Sequence, residues 1–344
     1  MKIMQDSIFM SSLRAFFTAF FAVIGAIVGL TILIFALYGI FSLADDDKLP
    51  ATAKVMPDAA GSRKKLDSDT PVLLQISIKG IIGHDDLTAE KIETVLLKSR
   101  EDELKDSRVK GVLLVIDSPG GGVNDSDIIY RLVQQYKERY NVPVFAYVDG
   151  LCASGGYYIA CAADKIFASD VSIVGSIGVL SSPFMNVYDA LTKIGVNSMT
   201  LIAGKGKDEM NPLRPWKPGE QENYQQLVDF FYGRFTEVVT KNRPRIEAEQ
   251  LVQEYGAKVF PVNKAQELGY VDVGDVPLSD VIRELSLAAG INEDEKYQVI
   301  SFETKSWWKR TFKEKSPFVT GKIKHELALP QMEGGNGVQY LYSR

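Results

Sequence analysis

Gly111-Val112-Leu113-Leu114-Val115-Ile116 is an unbroken apolar run, and Asp117-Ser118-Pro119-Gly120-Gly121-Gly122 follows it directly. Apolar residues without polar alternation are what a strand covered on both faces of a parallel sheet requires. The three glycines after it let the backbone approach a bound group and turn N–H groups toward it. A phosphate-binding P-loop needs Lys and then Ser or Thr after its glycines, but Val123-Asn124 stands there, and GxGxxG spacing also fails. Taken alone, the motif reads equally well as a bare turn.

Working outward, residues 72–78 form a compact apolar strand ended by Lys79-Gly80, and 89–98 have the spacing of an amphipathic helix. Residues 126–140 are helical by periodicity. A strand over 142–148, with Pro143 near its start, leads to a small, apolar stretch at 154–163 that reads as a buried helix. Residues 166–168 form a short strand. Strands alternating with helices predict right-handed βαβ units and an α/β fold. Residues 222–241 predict a long amphipathic helix, with shorter helices at 248–257 and 263–268. The expected organisation is a tail and apolar segment at 1–44, a polar tether at 45–70, the α/β domain at 71–293, and a C-terminal extension at 294–344 where the pattern fades.

Composition excludes some classes of function. Among 344 residues the net charge is −5 with a pI near 5.3, which leaves no broad phosphate-binding surface and argues against nucleic acid. The two cysteines, Cys152 and Cys161, make neither a disulfide framework nor a CxxC pair and read as small buried hydrophobes. With only His84 and His325, a Ser–His–Asp triad or a multi-histidine metal site has few candidates. His84 lies in a polar turn and His325 in the tail, and no metal or cofactor is expected.

Residues 15–43 are 29 uncharged, mostly apolar residues, more than the roughly 20 that a bilayer core requires and longer than a signal-peptide core. A retained anchor is expected. Arg14 is the basic residue nearest the span, on its short N-terminal side, which favours that tail inside and the large domain outside.

Three further motifs bear on chemistry. In Ala153-Ser154-Gly155-Gly156-Tyr157-Tyr158 a serine opens an apolar helix, where it either caps the helix or stands as a nucleophile beside the Gly155 N–H. It is not a GxSxG elbow, because Cys152 lies two residues before Ser154. Gly175-Ser176-Ile177-Gly178 is a small-residue turn. Ala203-Gly204-Lys205-Gly206-Lys207-Asp208 in isolation reads as a solvated loop.

Together, SPGGG, ASGGYY, GSIG and GKGKD followed by Asn211-Pro212 resemble, in letters and spacing, the signal peptide peptidase A (protease IV) family, over about residues 72–289. The resemblance implies the Clp protease–crotonase fold of βαβ units behind an N-terminal transmembrane helix. It implies a serine endopeptidase with Ser154 as nucleophile and Lys207 as base. Gly121 and Gly155 would be oxyanion donors and Ser176 the hydroxyl that orients the lysine; Lys205 occupies a variable position. It further implies closed homo-oligomers, sharing of the dyad between protomers in short members, and signal peptides or other hydrophobic peptides as substrates. The location implied is the bacterial cytoplasmic membrane, single-pass, with the catalytic domain on the extracytoplasmic side.

The chemistry is coherent. A serine hydroxyl needs a base, and a lysine accepts a proton only when a desolvated site favours its neutral form. Two other readings compete: a crotonase-type enzyme acting on acyl-CoA, which needs no Ser154–Lys207 pair, and a catalytically dead membrane scaffold, which should lack one of the two. Both are present.

Overall fold

The computed structural model describes residues 8–43, 52–84, 87–105, 107–303 and 338–341. The chain divides into two units. The first holds helix α1, Ile8–Leu43, within which Leu13–Ile34 has a mean hydropathy of 2.5. That segment is long and apolar enough to cross a membrane.

The second unit is an α/β body. Its strands are β1 Thr52–Met56, β2 Val72–Lys79, β3 Val109–Ser118, β4 Gly120–Gly122, β5 Val144–Ala153, β6 Lys165–Ala168, β7 Ile173–Gly175, β8 Leu180–Ser181, β9 Val259–Pro261, β10 Gln298–Glu303 and β11 Val338–Leu341. Its helices are α2 Ala89–Lys98, α3 Val123–Tyr140, α4 Gly155–Ala160, α5 Tyr188–Lys193, α6 Glu222–Asn242, α7 Ala248–Gln250, α8 Val262–Glu267 and α9 Leu278–Ala288. After α7 the chain widens into a π-helical turn, Leu251–Tyr255.

The main sheet runs β1-β10-β2-β3-β5-β7-β9, with β6 also paired to β5. Its centre is parallel: β10 with β2, β2 with β3, and β3 with β5, which pairs with β6 through its first half and with β7 through its second. Side chains alternate between two buried layers. Val112, Leu114 and Ile116 join Val144, Ala146 and Val148 in one. Leu113 and Val115 join Phe145, Phe167 and the α9 residues Val281, Ile282 and Leu285 in the other. This double burial is why the run at 111–116 has no polar member. Gly111 is small because an added Cβ would lie 3.2 Å from both Leu73 Cδ2 and Leu285 Cδ1.

The structure differs from the sequence reading at both ends of this body. Part of the expected tether at 45–70 is β1, paired antiparallel to β10 from Thr52–Glu303 to Met56–Val299. β10 itself lies beyond residue 293, where the pattern was expected to have faded, yet it inserts between β1 and β2 with Val299 and Ile300 buried. Both strands are short and held mainly by backbone pairing, which leaves little mark on the side-chain pattern. Helix α9 was also unforeseen, although its Val281, Ile282 and Leu285 pack on one face of the sheet centre. Residues 1–7, 44–51 and 304–337, which include His325 and most of the expected C-terminal extension, lie outside the described residues.

Candidate active site

Three of the glycine-serine motifs emerge at the carboxyl ends of neighbouring parallel strands. Ser118 at the end of β3 pairs with Cys152 of β5, and Ala153 at the end of β5 pairs with Gly175 of β7. Strand register alone therefore brings the turns after β3, β5 and β7 side by side, at the edge where α/β sheets place their ligand sites.

Ser154 occupies the turn from β5 into α4 with φ 54° and ψ −120°. This is a left-handed conformation that a non-glycine residue adopts at a cost of about 1–3 kcal/mol, so the surroundings must impose it. Part of that constraint is visible: Ser154 N–H donates to Gly175 O at 2.9 Å, and Tyr158 N–H donates to Ser154 O at 3.0 Å. Ser154 is 0% exposed, and its Oγ has no hydrogen-bond partner among the described residues. It makes no capping bond to α4, so the structure rejects the cap reading. A buried hydroxyl left unbonded in a strained backbone is costly, and such features cluster at functional sites.

The glycines beside it are packed to contact. A Cβ on Gly155 would lie 2.4 Å from Ser126 Oγ, 3.2 Å from Ile82 Cδ1 and 3.3 Å from Gly121 N. Gly155 and Gly121 therefore face one another without room for a methyl group. A Cβ on Gly121 would lie 2.0 Å from Ile82 O, because β4 runs against the bridge formed by Ile82. Gly155 is the first residue of α4, so its N–H lacks an intrahelical acceptor.

Two buried serines that the sequence reading missed brace this arrangement. Ser118 Oγ donates to Gly80 O at 2.6 Å and accepts from Gly120 N–H at 3.1 Å. Ser126 Oγ donates to Gly122 O at 2.8 Å. Only their position two residues before the first glycine and four after the last marks them in the sequence. Tyr158 adds a further tie, donating from its hydroxyl to Asp127 at 2.7 Å.

Ser176 also has a positive φ, 55°, and lies 5% exposed beside this turn, its N–H donating to Lys258 O at 2.8 Å. The structure thus gathers Ser154, Gly155, Gly121 and Ser176. It does not place Lys207 among them. Lys207 is exposed on the turn at 204–210, and among the described residues its ammonium has no hydrogen-bond or ion-pair partner; Lys205 is exposed too. Asp208 does not pair with either lysine. It accepts from Arg214 at 2.7 Å, and Arg214 also reaches Glu220 at 2.6 Å. The guanidinium holds both carboxyls below the usual carboxylate range and fixes the turn that carries Lys207.

That turn belongs to a mostly exposed excursion at 182–221, between β8 and α6. Some of its apolar side chains find little cover among the described residues: Met199 is 84% and Leu201 86% exposed. The cysteines, by contrast, are fully buried and free. Burial raises both thiols, Cys161 up to about 12. His84 is an exposed turn residue. No group of three or more His, Cys, Asp or Glu side chains suited to a metal occurs among the described residues.

Comparison with known proteins bears on this geometry. The chain matches the family model "Clp protease" over residues 75–172, the span of the sheet centre and the Ser154 turn. Its fold is of the Clp protease type, mixed-sheet α/β. It matches the model "Peptidase family S49" over residues 137–292. It is 33% identical over 232 residues to the Enterococcus faecium protein named "Putative signal peptide peptidase SppA", an alignment covering 64% of this chain and 62% of that one. It therefore spans about three fifths of that relative's length. It is 35% identical over 218 residues to "Putative protease slr0021" of Synechocystis sp., covering 63% of this chain and 72% of the relative. Among solved structures, a ClpP1 mutant from Listeria monocytogenes superposes on 60% of this chain and 94% of its own, at a TM-score of 0.40 and 19% identity. The matched region runs from the end of α3 through the Ser154 and Ser176 turns to α9, and on these grounds the chain belongs to peptidase family S49.

Proposed function

We propose that this protein is a membrane-anchored serine endopeptidase that hydrolyses hydrophobic peptides, spent signal peptides among them, with Ser154 as nucleophile and Lys207 as general base. The observation that carries the reading is the state of Ser154: strained, buried, unbonded at Oγ, and next to two glycines whose backbones meet. Ser154 Oγ attacks the scissile carbonyl and its proton passes to the neutral lysine. The Gly121 and Gly155 N–H groups receive the developing oxyanion. The lysine then protonates the leaving amine, and water releases the acyl group from Ser154.

Lys207 does not reach Ser154 within one chain's hydrogen bonds, so the working site forms when a second copy supplies the lysine. The uncovered apolar excursion around Lys207 favours this, since burial against another copy would cover Met199 and Leu201 and desolvate the lysine together. Ser176 is then the hydroxyl that orients the arriving amine. The helix α1 anchors the chain in the cytoplasmic membrane with the α/β body on the extracytoplasmic side.

The test is covalent labelling by a fluorophosphonate probe. Wild type should label at one site, mapped by mass spectrometry to Ser154, and Ser154→Ala should not label. Labelling that persists in the folded Ser154→Ala chain removes the proposal.

A further inference from the structure

The turn that holds Ser154 is itself held from behind. Ser154 N–H donates to Gly175 O at 2.9 Å, and the residue after that glycine, Ser176, donates its N–H to Lys258 O at 2.8 Å. Gly175 and Ser176 both take a positive φ, 133° and 55°. Their backbone lies hard against β9 and the residues before it. A Cβ on Gly175 would lie 2.5 Å from Lys258 O, and one on Gly178 would lie 3.0 Å from Ala257 Cβ. The direction of a single carbonyl, Lys258 O, therefore bears on the whole turn at 175–178.

That carbonyl is set by the π-helical turn Leu251–Tyr255. Gly256 N–H closes the turn on Leu251 O, five residues back, at 2.8 Å, and the chain leaves through Gly256 at φ 52° and ψ −140°. Lys258 then folds back onto the turn twice: its N–H donates to Tyr255 O at 3.1 Å and its Nζ to Glu254 O at 2.7 Å. Buried Leu251 anchors the turn in the core, as does the Tyr255 ring, which meets Phe260 and Tyr270. An α-helical turn closes four residues back, and the wider π turn is a rare departure that recurs at functional sites.

We infer that this π turn is a positioning element of the peptidase site, with Gly256 and Lys258 as its positioning residues. The inference rests on the protease reading above. The element touches no substrate atom. It fixes Lys258 O, which fixes the Gly175–Ser176 turn, which in turn fixes the backbone of Ser154. Because β9 is also an end strand of the main sheet, a purely structural role is the alternative. That role would remove folded molecules and leave each remaining site as reactive as before.

The full-length Gly256→Ala chain separates the two. Among the described residues nothing lies within 4 Å of the added methyl, so the substitution acts only through a backbone conformation that an L side chain rarely adopts. In fluorophosphonate labelling the end point counts folded sites, and the rate reports the reactivity of each. The labelling rate at Ser154 and kcat for a peptide ester should fall about tenfold or more, with KM changed by less than about twofold, since a small misplacement of a reacting group is that costly. A second pair decides the matter if Gly256→Ala does not fold. Gly178→Ala should slow labelling by pressing on Ala257, and adding Ala257→Gly should restore the rate. A lowered end point with an unchanged rate, or a Gly178→Ala loss that Ala257→Gly leaves in place, would overturn the inference and leave the protease reading intact. A wild-type chain that does not label at Ser154 removes the protease reading itself, before any variant is compared.

Discussion

Gly155→Ala asks whether contact between the two glycine turns matters for activity. The added methyl would start 2.4 Å from Ser126 Oγ, about 1 Å inside ordinary van der Waals contact. Two relaxations are open. Ser126 can swing away, giving up its 2.8 Å bond to Gly122 O, and a buried polar group left unpaired costs about 1–3 kcal/mol. Otherwise α4 shifts outward, which opens the 3.3 Å approach to Gly121 N and costs about the same as ordinary overpacking, 1–3 kcal/mol. Either way, stability should drop by about 1–3 kcal/mol in a urea titration. The second route also parts the two N–H donors, and loss of one donor lowers kcat by about 10²–10³. Ser126→Ala removes the atom hit hardest, so Gly155→Ala should cost less stability in that background than in wild type. A double-mutant cycle reads the difference as coupling, expected at 0.5 kcal/mol or more for groups in contact. Equal costs in both backgrounds, with kcat untouched, would refute the packing argument.

Four further outcomes are expected. Lys207→Ala should lose fluorophosphonate labelling by several orders of magnitude while Lys205→Ala keeps most of it and Ser176→Ala falls between, and the reverse order for the two lysines would reassign the base. Peptidase activity should persist in the His84→Ala/His325→Ala chain, because neither histidine serves as the base; activity that vanishes with the histidines contradicts the dyad. Cys152 and Cys161 should resist a maleimide at pH 8 in the folded protein and react on unfolding, because burial keeps both thiols protonated, Cys161 up to about 12; rapid labelling of the native chain counts against the buried assignment. A chain starting at residue 51 should be soluble, and one starting at residue 70 should lose on the order of 2–3 kcal/mol with the pairing of β1 to β10, seen as a lower Tm; equal Tm values would make β1 dispensable.

The parts legible in the sequence share one physical cause. A central parallel strand is buried on both faces, so 111–116 carries no polar residue, and a turn that must pass close to another backbone carries glycine, as Gly121 and Gly155 do against Ile82 and Ser126. Each such demand is met by residue type, and type is what a sequence records. β1, β10 and β11 make weaker demands. They are held by main-chain hydrogen bonds that most residues can offer, so Thr52–Met56 looked like tether and Val338–Leu341 like tail. Ser118 and Ser126 escaped for a different reason: a serine that braces a loop from below differs in no letter from one in solvent.

The two halves of the proposed dyad are built unlike one another. Ser154 is held by β5, β7 and α4, in a backbone conformation that only dense packing maintains. Lys207 sits on a turn clamped by Arg214, Asp208 and Glu220 but otherwise open to solvent. In water a lysine is an ammonium and cannot take a proton from serine. If a single chain carries the site in this form, its nucleophile is prepared and its base is not. Activity should then depend on whatever desolvates the turn, and the exposed Met199 and Leu201 beside it point to protein–protein contact as that agent. Labelling of Ser154 should therefore fall on dilution below the assembly concentration. Mixing Ser154→Ala with Lys207→Ala, each inert alone, should restore labelling if one copy's lysine serves another copy's serine. No recovery in mixed assemblies that demonstrably form would place both residues of the dyad in one chain.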